Sequence, residues 1–301
     1  MKYIEIDGQK VSVITSGCMR FVDFSEARME THIKACLEMG INFFDHADIY
    51  GNGVCETIFG TYLKAHPEDR EKMFIQSKCG IGKGCYDFSY EHIMESVEGS
   101  LKRLQTDHLD FLLLHRPDAL MEAEEVNRAF NELYEQGKVL RFGVSNMNAH
   151  QIAFLQKYLD QKLLIDQLQM SLVHTPLIDS GLHVNMKGID YTDEGTLEYL
   201  KEKQMTMQVW SPLQVDLFKG AFLNSTRFPM LNTALEEVAE EYGCTRATIA
   251  IAWLLRYPSA KQIIIGSTSV EHIQEAAAAC DIELTRKQWY DLYLAAGHSL
   301  P

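Results

Sequence analysis

Residues 111–115 read Phe-Leu-Leu-Leu-His, and residues 263–266 read Ile-Ile-Ile-Gly. Neither run alternates apolar with polar, which is the pattern of strands covered on both faces, as in parallel sheets flanked by helices. Outward from these, β-rich runs recur at Ser12–Ser16, Asn42–Asp45, Met73–Lys78, Leu109–His115, Val139–Ser145, Leu164–Leu168, Met205–Ser211 and Gln262–Gly266. Their starts lie roughly 25 to 57 residues apart, too far for hairpins and suited to strand–helix–strand crossovers. Eight such strands are enough to close a barrel.

The segments between them carry helical periodicity. Glu26–Met39 sets Met29, Ile33, Cys36 and Leu37 largely on one stripe and is followed by Gly40, where a left-handed backbone costs little. Glu91–Leu104 and Glu122–Gln136 repeat the pattern, the second stopping at Gly137. Residues 1–17 alternate around Asp7-Gly8 as a hairpin does. Strands and helices alternate without a linker, which predicts one domain over residues 1–301: an α/β (β/α)8 TIM barrel with an N-terminal β-hairpin and a C-terminal helix. A doubly wound open sheet is the other possibility, and no G-x-G-x-x-G follows the first strand to support it. Two loops after strands, Ser171–Glu194 and Gln214–Met230, interrupt the repeat, and long loops are where function concentrates.

Composition narrows the partners. The chain is 46% hydrophobic and 23% charged, as expected of a globular protein with a large core. With 28 Lys+Arg against 42 Asp+Glu the net charge is −14, which excludes nucleic acid and anionic membrane as partners. A small anionic ligand held by local cations and backbone amides is compatible with that charge. The N-terminus has no signal-peptide run, and no segment has the ~20 apolar residues of a membrane span. Seven scattered cysteines without a C-x-x-C pair point to thiols in a reducing cytoplasm.

In a barrel of this kind the chemistry sits where the strands end. Asp45 closes the second run with Tyr50 five residues on, Lys78 closes the third, His115 and Arg116 follow the fourth, and Ser145-Asn146 ends the fifth. This set makes a proton donor. A phenol is a reluctant acid with a pKa near ~10, and a neighbouring ammonium held by a carboxylate lowers it. An imidazole then positions a bound carbonyl oxygen. None of these groups donates hydride, so a cofactor must.

The stretches GINFFDHADIYG (40–51), the Lys78 strand, LLLHRPD (112–118), GVSN (143–146) and WSPL (210–213) resemble the aldo-keto reductase superfamily, in its usual order over about residues 10–280. Within it the chain is most similar to the bacterial branch related to potassium-channel β-subunits. The resemblance implies an NADP-dependent reductase of aldehydes or ketones, with NADPH as cofactor (NADH possible) and a small-molecule carbonyl as substrate. It implies Tyr50 as general acid with Asp45, Lys78 and His115 completing a catalytic tetrad. It also implies that Ser145, Asn146 and Gln167 hold the nicotinamide carboxamide, that Trp210 stacks on its ring, and that Ser211 and Leu213 line the pyrophosphate. Gly266, Ser267 and Thr268 would open the helix that receives the adenosine phosphate.

The sequence departs from many relatives in having Gly266 and His272 where a basic residue approaches the 2′-phosphate, and Ala276 in place of a common Asn. The preference for NADP over NAD is therefore weaker than the family's, with His272 contributing mainly when protonated. Met19, Arg20, Phe21, Tyr86, Phe88, Arg116, Leu217 and Phe218 are expected around an apolar substrate pocket with two guanidinium contacts.

Other readings compete less well. Asp45, His46 and Asp48 suggest a metal centre, but the remaining strand ends offer mainly Ser, Gln and Gly, so no metal is expected. Cys79 should face away from the barrel interior, next to inward Lys78. His174 and His183 are expected in solvent, His46 fits a cofactor contact or packing, and Glu236–Glu241 is expected as a solvated face near a helix start, favoured by the dipole. A rival in another class keeps the tetrad but turns over very slowly, as a cofactor-occupied redox sensor or interaction subunit. No protein partner is legible.

Overall fold

A computed structural model describes residues 1–184, 186, 195–215, 219–259 and 261–301. Strands β1 (Tyr3–Ile6) and β2 (Gln9–Ser12) form an antiparallel hairpin turning at Asp7 and Gly8, both at positive φ. Eight parallel strands then close a barrel. They are β3 (Ile14–Gly17), β4 (Phe43–Asp45), β5 (Phe74–Cys79), β6 (Phe111–Leu114), β7 (Phe142–Ser145), β8 (Leu163–Gln169), β9 (Thr206–Trp210) and β10 (Lys261–Ile265), with β10 pairing back onto β3. Each lies on one of the eight runs read from the sequence, shifted by up to a few residues.

The barrel interior is layered. The hairpin's Ile6 and Val11 pack with Phe43, Phe111, Leu113 and Ile165 toward the strands' N-terminal ends. Above them lies a belt of amides: Gln208 receives hydrogen bonds from Gln76 (2.8 Å) and Gln167 (2.9 Å) and donates to Gln76 (3.0 Å) and Gln262 (2.9 Å). All four are buried, so these bonds stand in for the water each amide lost. At the top of this belt sit Asp45 and Lys78. A second, larger apolar layer between strands and helices takes up the outward side chains, Cys79 among them.

The helices start where the sequence supplies caps. Ser25 caps Glu26–Glu38, Ser89 caps Tyr90–Leu104, and Thr285 forms a capping box with Gln288 ahead of the C-terminal helix Arg286–Ala295. That last helix is pinned by Trp289, stacked 4.7 Å from Trp253 with each indole donating to the other's backbone carbonyl.

Three expectations are corrected. The stretch 171–194 contains a helix, Pro176–Leu182, started by a proline whose missing N–H costs nothing in the first turn. His183 is buried there and bonded to the Ser299 carbonyl (2.9 Å), because the chain's C-terminal end covers it. In Glu236–Glu241 the glutamates are exposed while Val238 and Ala239 are buried, and the stretch lies in the last turns of Pro229–Tyr242, since the helix begins at Pro229. Among the described residues no helix is long and apolar enough to cross a membrane.

Candidate active site

Asp45 ends β4 and pairs in register with Gln76 of β5, so Lys78, two residues further along β5, points to the same interior face. The Lys78 ammonium lies 2.8 Å from Asp45 Oδ1 and donates to the His46 carbonyl (2.8 Å) and the Tyr50 hydroxyl oxygen (3.0 Å). Its three N–H bonds are thereby used, and the group is fully buried. Lys78 donates to Asp45 Oδ2 (2.9 Å), while Gln76 and Gln167 donate to Oδ1, at 2.5 and 3.0 Å, and hold the carboxylate facing the lysine. Burial alone would drive Lys78 down, but Asp45 and Tyr50 reverse this and hold its pKa above the usual lysine value.

Tyr50 is half-buried at the start of a tight turn. Gly51 and Asn52 adopt left-handed conformations and Gly53 has φ +86°, which swings the chain from the strand end into the helix Val54–Ala65. The phenol accepts from Lys78, and among the described residues its own proton has no acceptor. It is thus free to be given to a ligand. Its pKa, however, is raised and not lowered: burial outweighs the attraction of Lys78 for the phenolate, and Asp45 adds repulsion. The sequence counted the ammonium and could not count the burial.

The His115 ring meets the Tyr50 ring edge-on, centroids 5.9 Å apart. Its Nδ1 is buried without a hydrogen bond, and burial, with Lys78 and Arg116 adding repulsion, pushes its pKa down to about 2. The imidazole is neutral at any ordinary pH. His46 is wholly buried against Phe59, centroids 4.6 Å apart, and among the described residues neither ring nitrogen has a hydrogen-bond partner. It packs and faces no cluster of metal-ligating groups; among the described residues the one such cluster, His66 with Glu68 and Asp69, lies elsewhere.

Beside the tetrad, a cleft of about 330 Å³ is lined by Arg116, Asn146, Asn148, Gln151, Gln169 and His174, with Trp210 and Leu168 among the apolar groups. Met147, Pro176 and Leu177 complete a lining that is part polar and part apolar, and of the residues expected around the substrate only Arg116 belongs to it. The Arg116 guanidinium lies 5.4 Å over the Trp210 ring, and the Trp210 indole donates to the Asn146 side chain (3.1 Å). Asn146, at φ +60°, also donates to Ser145 (2.7 Å) and to the His115 carbonyl (3.3 Å), tying the ends of β6, β7 and β9 together. Both amide hydrogens of Gln167 are engaged by Asp45 and Gln208, so only its oxygen is left for a ligand. Ser211, at φ +55°, and half-buried Leu213 follow β9 on the same rim.

After β10, Gly266, Ser267 and Thr268 lead into the helix Val270–Ala278. No side chain caps that helix, and Ser267 bonds to the exposed His272 (3.1 Å). Ser267 also accepts from the Ser269 amide (3.2 Å), and the amides of the first turn, which no side chain caps, suit an anion. The rim therefore offers amide partners and an indole at one end and an anion site at the other, a donor set that fits a nicotinamide dinucleotide.

The expected substrate contacts divide. Met19, Tyr86, Arg116 and Arg20 are at least partly exposed. Phe21 is fully buried, stacked on Phe24 and edge-on to His32, and Phe88 is buried against Gly80, where a Cβ would stand 2.2 Å from its ring. Both were expected at the mouth, and both are instead buried in the apolar layer between strands and helices. Leu217 and Phe218 lie outside the described residues. Arg20 donates to the Gly266 carbonyl (2.8 Å), so a permanent cation does stand at that end of the rim. Gln76, Gln208 and Gln262 went unread, because each shares its strand with other polar residues, Ser77 and Lys78 on β5, Thr206 on β9 and Lys261 on β10.

The aldo/keto reductase family model matches residues 13–293. The chain is 37% identical to a 6-dehydroglucose reductase of Agrobacterium fabrum, over 96% of each chain. It is 38% identical to the oxidoreductase YdhF of Escherichia coli, over 98% of this chain and 97% of that protein. A probable voltage-gated potassium channel β-subunit of Arabidopsis thaliana is 29% identical over 91% of this chain and 89% of its own. Among solved structures, a thermostable aldo-keto reductase in complex with the inhibitor epalrestat superposes with a TM-score of 0.80, at 26% identity, covering 98% of this chain and all of that one. The chain belongs to the aldo/keto reductase family.

Proposed function

We propose that this protein reduces an aldehyde or ketone with NADPH and that Tyr50 delivers the proton to the carbonyl oxygen. The supporting observation is the buried line Asp45–Lys78–Tyr50, with contacts of 2.8 and 3.0 Å, which leaves the phenol proton as the one uncommitted proton of the set. Nicotinamide, when bound, supplies the hydride. Neutral His115 donates to the carbonyl oxygen and holds it beside Tyr50. The Lys78 ammonium stabilises the phenolate that remains, and Asp45, gripped by Gln76 and Gln167, keeps the ammonium in place.

Asn146, Ser145 and the Gln167 oxygen would hold the carboxamide, Trp210 the ring, Ser211 and Leu213 the pyrophosphate, and Ser267, Thr268 and His272 the adenosine phosphate. The polar groups of the cleft and the similarity to 6-dehydroglucose reductases together favour a hydroxylated carbonyl compound, with Arg116 and Gln151 reaching its hydroxyls. The whole of residues 1–301 acts as one barrel, and its seven free thiols suit the cytoplasm.

Tyr50→Phe tests the assignment. It should bind NADPH with nearly unchanged Kd and lose about a hundredfold or more of kcat, because the proton donor is removed and the cofactor site is not. Near wild-type turnover would refute it. Similarity to channel β-subunits supports the second reading, a slow sensor. NADPH absorbance near ~340 nm with a panel of carbonyl compounds separates the two: sustained consumption marks the enzyme, a single slow turnover the sensor.

A further inference from the structure

The chain carries a net charge of −14, and at the phosphate end of the rim the sequence offers Gly266 in place of a basic residue. The structure brings a cation there from the other side of a strand pair. Arg20 belongs to the loop after β3, and β3 is the hydrogen-bonded neighbour of β10. Its Nη1 donates to the Gly266 carbonyl at 2.8 Å, and a Cβ built on residue 266 would stand 3.2 Å from the same nitrogen. The guanidinium thus borders the space that a side chain at 266 would enter. One of its five N–H donors is used, and among the described residues no carboxylate pairs with it, so its charge and remaining donors are available. Ser267, His272 and the uncapped start of Val270–Ala278 follow directly from the carbonyl it grips.

We infer that Arg20, placed by the sequence among the substrate contacts, is the specificity-determining cation for a phosphate group of the bound dinucleotide, standing in for the basic residue absent at position 266. This rests on the dinucleotide reading above. The physical case is geometric and electrostatic. A planar guanidinium fixed at one N–H can offer two parallel donors to a phosphate, a stronger and more directional contact than a titrating imidazole gives.

Calorimetric titration of the full chain with NADPH and NADH, for wild type, Arg20→Met and Arg20→Lys, tests this. Arg20→Met should weaken NADPH by about tenfold or more, and Arg20→Lys should recover part of that loss. Unchanged NADH binding places the contact at the 2′-phosphate and supports the inference; an equal weakening of NADH places it at the shared pyrophosphate and overturns the specificity role. An NADPH Kd for Arg20→Met within twofold of wild type overturns it. Wild-type protein that binds neither dinucleotide sinks the reading of the site itself, a result distinct from a binding wild type matched by its variant. Arg20 is exposed, so the variants should melt with wild type, and a melting curve on each sample shows whether any lost affinity is lost fold.

Discussion

At the scale of single residues the tetrad is a statement about protons. Tyr50 has its pKa raised by burial, and His115 has its pKa pushed down to about 2, so across neutral pH the first is protonated and the second uncharged. The pH profile of carbonyl reduction should follow. kcat/KM should be flat from pH 6 to 9, with no inflection near the ordinary imidazole value, and should fall only above the usual phenol range as Tyr50 loses its proton. Stopped-flow or steady-state rates across that range check this; an acid limb near pH 6.5 abolished by His115→Gln would contradict it. These four side chains were legible in the sequence because each stands at a strand end or, like Tyr50, just past one, and strand ends converge on one rim. Arg20 was not, since its role depends on which strand neighbours which. Nor was the direction of the Tyr50 shift, which depends on how much water the finished site excludes.

At the scale of elements, close approach decides what is tolerated. The helix Val54–Ala65 crosses the end of Tyr90–Leu104 at Gly60, where an added Cβ would lie 2.0 Å from the Arg103 carbonyl oxygen and 2.7 Å from the Leu104 carbonyl carbon. Backbone cannot swing aside as a side chain can. The same pair of helices is joined by Arg103, which bonds buried Glu56 (2.8 Å), and Glu56 in turn accepts from Ser77 (2.6 Å), next to Lys78. Gly60→Ala should therefore destabilise the protein by about 2 kcal/mol or more despite its better helix propensity, read as a lower urea midpoint at unchanged slope. A midpoint equal to wild type would show that the two helices can part without cost. The sequence marked both helices by their apolar stripes, but a glycine inside one reads only as a weak position until the partner's backbone is placed against it.

At the scale of the whole molecule, burial of histidine sets the acid limit. His32, between Phe21 and Phe24 and bonded to Ser16 (3.0 Å), has its pKa pushed to about 4, first by burial and then by Arg28; His46 falls to about 3. Folded values lie below the unfolded value near ~6.5, so the unfolded chain binds more protons in that window. The stability these neutral rings hold is complete above about pH 6.5 and is lost as pH falls toward 4 and then 3. For His32 alone this amounts to about 3 kcal/mol across its window. Thermal unfolding from pH 7.5 to 4 should show the decline, shallower in His32→Gln; parallel curves would remove His32 from the account.

Taken together, local chemistry is what the sequence determined. Unbroken apolar runs at crossover spacing required parallel strands, caps and glycines placed the helices, and residue type at each strand end named the chemistry. Tertiary structure alone decided what depends on neighbours far apart in the chain: the glutamine belt beneath Asp45, the burial of Phe21 and Phe88, the mixed lining of the cleft, and Arg20 at Gly266. The physical reason is range. Periodicity and propensity act over a few residues, whereas burial, desolvation and the pairing of a charge are fixed only when the eighth strand closes on the first.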